Sequence, residues 1–224
     1  FKAVIQKLLV IIPAYNEDAS IGKVVGDLRT VGFEDILVVN DGSWDTTVTV
    51  AQKFGATVIS HILNVGLGGA IATGLEYARY QNYNFAITFD ADGQHKTEDA
   101  LKIKEALFLQ KFDFVIGTRI KDLAKGYKLR YLVNILSNLI TYALYGVYVS
   151  DSQSGMRGFN RKALELLQPV TSGYEVSTEL IGLAKKSNLK IGEIPIKGIY
   201  TSYSLKKGQK VTNAFKVLRR LLVS

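Results

Sequence analysis

The 224-residue sequence contains no cysteine, two histidines, one methionine, one tryptophan and three prolines. Without thiols there is no disulfide, no thiolate nucleophile and no cysteine-ligated zinc. His61 and His95 are the only imidazoles, so a structural zinc site lacks ligands. The absence of cysteine also points toward the cytoplasm. Acidic residues are in deficit, 20 against 28 Lys and Arg, for a formal net charge of +8. A basic balance suits nucleic acid, anionic lipid or a polyphosphate ligand. Here the basic residues are spread along the chain with no recognition motif, so nucleic acid is not an expected partner. A clean long hydrophobic run is missing too. Residues 131–150 are uncharged and long enough to span a bilayer, yet Asn134, Ser137, Asn138 and Thr141 recur at three- and four-residue spacing. That polar stripe predicts an amphipathic helix rather than a span. The chain opens on Phe1, which reads as a trimmed or processed start, and nothing there has the shape of a signal peptide.

What is present is regular. Residues 8–12, 36–39, 57–59, 85–89 and 114–116 are short apolar, β-branched runs, predicted to be strands covered on both faces. Between them, residues 21–28, 46–54, 68–80 and 98–109 carry apolar positions at helical spacing. This alternation predicts an α/β fold with a mostly parallel sheet flanked by helices. After Gly117 come a basic linker over 121–130, the amphipathic segment, a loop over 150–158 and two more helices. A last strand over 190–196 and a basic amphipathic tail over 211–222 follow, the tail setting Lys216, Arg219 and Arg220 against Phe215, Leu218 and Leu221. With 47% hydrophobic residues and no internal repeat, one domain is expected.

Three of the strands run into polar clusters: Pro13-Ala14-Tyr15-Asn16-Glu17, Asn40-Asp41-Gly42-Ser43 and Asp90-Ala91-Asp92-Gly93-Gln94-His95. Each alone is an ordinary turn or cap. Together, at one edge of an open sheet where ligands bind, they concentrate negative charge that a cation and hydrogen-bond donors must answer. A metal and a nucleobase supply both. Asp90 and Asp92 flank a single residue, a spacing that lets both carboxylates approach one hard cation, with the Gln94 amide oxygen as a third ligand. The glycines of Asn64-Val65-Gly66-Leu67-Gly68-Gly69-Ala70 would let backbone come close to a phosphate or sugar. Ile71 holds the third position of a dinucleotide fingerprint, and there is no P-loop and no G-x-S-x-G elbow. Residues 1–117 therefore read as a nucleotide-binding half and 118–224 as an acceptor half sharing the sheet.

In order along the chain, Ile12-Pro13-Ala14-Tyr15-Asn16-Glu17, Asn40-Asp41-Gly42-Ser43, Gly66-Leu67-Gly68-Gly69-Ala70, Asp90-Ala91-Asp92-Gly93-Gln94-His95, Gly117-Thr118-Arg119, Ser154-Gly155-Met156-Arg157 and Glu193-Ile194-Pro195-Ile196 resemble one group. It is the dolichyl-phosphate mannose synthase and polyprenyl-phosphate glycosyltransferase group of glycosyltransferase family two. The resemblance covers most of the chain and implies the GT-A fold. It further implies inverting transfer of a hexose, mannose from GDP-mannose or glucose from UDP-glucose, to a polyprenyl or dolichyl phosphate at the cytoplasmic face of a membrane. The implied donor-binding residues are Pro13, Ala14, Tyr15, Glu17, Asp41, Ser43, Gly68, Asp90, Ala91, Asp92 and Gln94. Asp90, Asp92 and Gln94 would hold Mg2+ or Mn2+. Arg119, Arg130, Asn134 and Lys206 would hold the acceptor phosphate, and Asp92, Arg119 and Arg130 would carry the catalysis. Asn40 stands where the family commonly has an acidic residue, and Asn134 where it can show serine. The segment 200–207 replaces an arginine-containing one, and lysine lacks arginine's bidentate fork.

Many relatives carry spanning helices where this sequence ends, so a truncated or a peripheral member is expected. A lipid phosphate monoester has a second pKa near 6, like phosphoserine, and is largely dianionic at neutral pH, so it needs no strong general base. A saccharide hydroxyl acceptor would need one, with Asp151 and His95 the candidates. A non-catalytic sugar-nucleotide-binding subunit is the other alternative, and turnover of the donor separates it from an enzyme.

Overall fold

A computed structural model describes residues 6–109, 111–121, 123 and 128–199, with side chains of 128–130 outside the description. In chain order the elements are β1 (Leu8–Ala14), α1 (Asp18–Thr30), β2 (Asp35–Asn40), α2 (Thr47–Lys53), β3 (Thr57–Ser60), α3 (Leu67–Tyr80), β4 (Phe85–Thr88), α4 (Thr97–Phe108) and β5 (Phe114–Thr118). Then follow α5 (Lys128–Tyr145), β6 (Arg157–Asn160), α6 (Arg161–Leu166), α7 (Val176–Lys186) and β7 (Ile191–Pro195). Lys206, the side chain of Arg130 and the whole basic tail lie outside the described residues.

Among the described residues the strands form one seven-stranded sheet in the order β3-β2-β1-β4-β6-β5-β7. All pairs are parallel except those of β6, which runs antiparallel between β4 and β5. Reversing twice across β6 leaves β5 pointing the same way as β1, β2 and β4. Their carboxyl ends therefore share one edge. The crossover from β3 to β4 passes over β1, so the crevice beyond β1 and β4 is the switch point at which open α/β sheets bind ligands.

Alternation along β1 divides the core. Val10 and Ile12 pack with Ile21, Val25 and Leu28 of α1 and Ile103 and Leu107 of α4. Leu9 and Ile11 pack with Ile71 and Leu75 of α3 and Leu180 and Ile181 of α7. Both faces of the sheet are covered, as the apolar runs require.

One expectation is corrected here: residues 157 and 158 belong to β6 instead of a loop. Arg157 and Gly158 lack the β-branched apolar character of the other strands. What makes the segment a strand is its pair of neighbours, with Thr88 and Ile116 both opposite Arg157.

The amphipathic prediction over 131–150 corresponds to α5, with its faces turned inside out. Asn134, Asn138 and Thr141 are buried, while Leu132, Ile135, Leu136, Leu139, Tyr142 and Leu144 are exposed. Among the described residues no helix is long and apolar enough to cross a membrane.

Candidate active site

At the shared edge the ends of β1, β2, β4 and β5 and the loop entering β6 surround a cleft of about 530 Å³. Its floor begins with β1, whose last turn is shaped by Asn16 in the left-handed region (φ 54°), a conformation asparagine tolerates better than most residues. The turn is stitched to the end of β2. Asn16 N–H donates to Ser43 Oγ (2.9 Å), Trp44 N–H to Asn16 Oδ1 (3.0 Å), and Glu17 N–H to Thr47 Oγ1 (2.8 Å). Ser43 serves this seam and does not line the cleft. Of the expected donor residues, Pro13, Ala14, Tyr15, Glu17, Asp41, Asp90, Ala91, Asp92 and Gln94 do line it.

Asp41 is bound mostly by its own chain. Its carboxylate accepts from His61 Nδ1 (2.8 Å), Val65 N–H (2.9 Å) and Gly66 N–H (2.8 Å), and His61 Nε2 lies 2.9 Å from Thr73 Oγ1. The acid thereby fixes the 61–66 loop and brings Asn64 to the cleft wall. The glycines that follow also differ from expectation. Gly68 N–H donates to the Ser172 carbonyl (2.8 Å), and a Cβ at Gly68 would collide with the Thr171 carbonyl. The close backbone approach is to the 171–173 loop of this chain, and Gly68 is absent from the cleft wall.

The two aspartates after β4 have opposite electrostatics. Asp90 Oδ2 lies 2.8 Å from His95 Nε2. Desolvation pushes the Asp90 carboxyl up, but the hydrogen bond and charge of His95, joined by Arg119 and Arg157, outweigh it and hold the carboxyl below its ordinary value. Asp92 is raised, by desolvation and then by the neighbouring charge of Asp90. Gln94 answers only in part, its backbone N–H donating to Asp92 Oδ1 at 3.0 Å and its side-chain amide resting on the other oxygen. A carboxylate left short of donors beside a second carboxylate is the environment a hard divalent cation relieves. Among the described residues no group of three or more His, Cys, Asp or Glu could hold a metal ion. Asp90 and Asp92 are the residues that could offer carboxylate oxygens to a hard cation such as Mg2+ or Mn2+.

The opposite end of the cleft is built on buried Asp151. It accepts from Arg119 N and Nε (2.9 Å each), Arg119 Nη2 (3.1 Å) and Asn134 Nδ2 (2.7 Å). Burial raises its carboxyl, but the charge and hydrogen bonds of Arg119, then Asn134, bring it below the ordinary value. Arg119 and Asn134 line the cleft and Asp151 does not. As a base, Asp151 is therefore corrected: all its lone pairs are engaged. His95 is corrected as well, because its side chain is wholly buried with Nε2 on Asp90, and its Nδ1 is buried without a partner. Neither side chain lines the cleft.

Sequence reasoning left Arg157, Gly155 and Tyr174 without roles. Arg157 is fully buried, donating through Nε to Ser154 O (3.0 Å) and Nη2 to Ser152 O (2.8 Å). Burial lowers its guanidinium to about 10 against the pull of Asp151 and Asp90, so it stays charged at neutral pH. It braces the loop that presses Gly155 onto Asp90, where a Cβ would collide with the carboxylate. The Ser154–Arg157 motif was the available signal. Tyr174 lines the cleft, its phenol raised by burial and then by Asp90, Asp92 and Glu17. No local pattern announces it.

Residues 9–167 match the family model described as glycosyl transferase family 2. The chain is 41% identical over 222 residues to an uncharacterised protein of Methanocaldococcus jannaschii, covering 97% of this chain and 91% of that one. It is 38% identical over 239 residues to the UDP-N-acetylglucosamine–dolichyl-phosphate N-acetylglucosaminyltransferase of Methanococcus voltae, covering 96% and 95%. The crystal structure of glucosyl-3-phosphoglycerate synthase from Mycobacterium tuberculosis with Mn2+, UDP-glucose and phosphoglyceric acid matches with TM-score 0.72 at 18% identity, over 97% of this chain and 78% of that one. The architecture is thus the GT-A fold. With a family match over most of its length and near-complete relatives above 30% identity, the chain belongs to glycosyl transferase family 2 and is a glycosyltransferase.

Proposed function

We propose that this enzyme moves the sugar of UDP-N-acetylglucosamine, with inversion, onto a dolichyl-type lipid phosphate at a membrane surface, using Mg2+ or Mn2+ at Asp90 and Asp92. The observation that carries the reading is the division of charge in the cleft. Glu17, Asp41, Asp90 and Asp92 line one end. Near the other, Arg119 and Arg157 set guanidinium charge against Asp151 and Asp90, which supports an anionic acceptor beside Arg119. The Methanococcus voltae relative, alike over nearly its whole length, supports the donor and the lipid acceptor. It extends the donor beyond the expected mannose and glucose to a 2-acetamido sugar.

In this reading the strand ends of β1 and β2 hold the nucleoside, and Arg119, fixed edge-on by Asp151, presents donors to the acceptor phosphate. A bound divalent cation would neutralise the diphosphate as it leaves. The acceptor oxygen is already ionised, so this chain's task is orientation for in-line attack at the anomeric carbon. The lack of an accessible base in the Asp151 and His95 positions favours a phosphate acceptor over a saccharide hydroxyl.

Thermal shift with Mn2+ and a panel of nucleoside diphosphates tests the donor. At a hundredfold excess over Kd a ligand specific to the native state adds about 2.7 kcal/mol, which for a chain of this size raises Tm by roughly 5–10 °C. UDP is expected to give that shift and GDP a smaller one; the reverse order would reassign the donor. The metal contribution should shrink as pH falls through the raised pKa of Asp92, since the protonated carboxyl no longer ligates.

The exposed face of α5 supports the membrane part. Leu132 and Leu139 are 61% and 60% exposed, so glutamate at both should leave the fold intact. Each leucine removed from the acyl boundary forfeits about 1.5–3 kcal/mol. Sedimentation with anionic vesicles should therefore show at least a tenfold loss of binding in the double variant. Unchanged binding would remove α5 from the membrane contact.

A further inference from the structure

The inward polar face of α5 ends at the acceptor side of the cleft, and we propose that Asn138 is a positioning residue for the acceptor phosphate, setting the direction of the Arg119 guanidinium through Asn134 and Asp151. The inference rests on the reading that Arg119 receives that phosphate. Asn138 is 4% exposed and is not part of the cleft wall. Its Nδ2 donates to Asn134 Oδ1 (2.9 Å) and to the Ser150 carbonyl (2.8 Å), and its Oδ1 accepts from Ser152 N–H (2.9 Å). One amide thus holds the backbone on both sides of Asp151.

The same amide decides which way Asn134 faces. With its oxygen taken by Asn138, Asn134 must turn its Nδ2 to Asp151 Oδ1, at 2.7 Å. Turned over, Asn134 would set an oxygen against the carboxylate. Asp151 in turn fixes Arg119 by a two-point contact, Nε to Oδ2 (2.9 Å) and Nη2 to Oδ1 (3.1 Å). Such a fork holds the guanidinium in the plane of the carboxylate. Packing alone does not call for asparagine at 138. A leucine of similar size would fill the space without the desolvation cost that a buried amide carries. What leucine lacks is the donor that keeps Asn134 oriented, and a buried network is as directional as its least satisfied member allows.

The test compares the parent with Asn138→Asp and Asn138→Leu. Aspartate is isosteric and keeps the acceptor for Ser152 N–H, but loses both donations; leucine loses all three bonds. KM is measured for a water-soluble short-chain prenyl phosphate, so that membrane docking plays no part, alongside the Kd for UDP and the unfolding midpoint. Both variants are expected to raise acceptor KM at least tenfold while UDP affinity stays within twofold. Acceptor KM within twofold of an active parent would overturn this inference alone. So would parallel losses in UDP affinity and acceptor KM, the mark of general loosening. A parent that binds UDP but transfers to no prenyl phosphate would overturn the acceptor reading itself, and this inference with it.

Discussion

Replacing Asp92 by alanine is expected to cut sugar transfer by about a hundred- to a thousandfold, the scale of losing one preorganised electrostatic partner of the transition state, while leaving the folded protein no less stable. The two effects part because Asp92 carries a cost in the metal-free protein. Desolvation and the charge of Asp90 raise its folded pKa. A carboxyl so raised favours folding least above that pKa, where it must ionise beside another charge. Alanine removes the penalty at neutral pH. Kinetics over a Mn2+ titration together with urea unfolding check both halves. Full activity of the variant in EDTA would show that Asp92 holds no metal, and a large drop in stability would show that the carboxylate is a structural element instead.

Arg119→Ala is expected to do the opposite on stability. Arg119 and Asp151 are 15% and 0% exposed at their side chains, and removing one partner of a buried pair costs about 3–5 kcal/mol because the other is stranded. The variant should also raise acceptor KM far more than it weakens UDP binding. The pH dependence has a definite sign. Asp151 has a depressed folded pKa in the parent, so its stabilising contribution is full above the ordinary carboxylate value and lost as pH falls through the depressed one. In the variant Asp151 keeps its burial but loses the charge and hydrogen bonds that depressed it, so that acid-side loss should shrink or disappear. Arg119→Lys should recover part of the stability but little of the acceptor affinity, since an ammonium restores charge without the fork. Calorimetry in which UDP binding collapses while acceptor KM holds would move Arg119 to the donor side.

The fold was legible wherever a strand was apolar on both faces. β1, β2, β4 and β5 announce themselves because Val10, Ile12, Val38, Ile87 and Val115 on one face and Leu9, Ile11, Leu37, Ala86 and Phe114 on the other leave no position for water. β6 did not, since its strand character comes from Thr88 and Ile116 on either side and not from Arg157 and Gly158. At the site, strand-end position was a good guide to which residues gather, bringing Glu17, Asp41, Asp90 and Asp92 to one cleft. It was a poor guide to what each carboxylate is already bonded to. Asp41 is engaged by His61 and two backbone N–H groups, and Gly68 by a loop a hundred residues away in sequence. Such partners are set by the tertiary arrangement. The α5 stripe shows the same limit: periodicity revealed two faces but not that the polar one is buried, because amides and hydroxyls enter a core only when partners such as Asp151 await them.

The position of β6 also constrains the order in which the chain can be completed during synthesis. β5 borders only β6 and β7, and both leave the ribosome after it. Phe114, Val115 and Ile116, all fully buried in the finished protein, must wait for residues 157–160 before they have a neighbouring strand. At about 5–20 residues per second that wait lasts on the order of seconds. An unpaired apolar strand exposed for so long invites pairing with the same strand on a neighbouring nascent chain. The nascent chain therefore has a window in which a chaperone, or slower passage of neighbouring ribosomes, protects yield without altering the final structure.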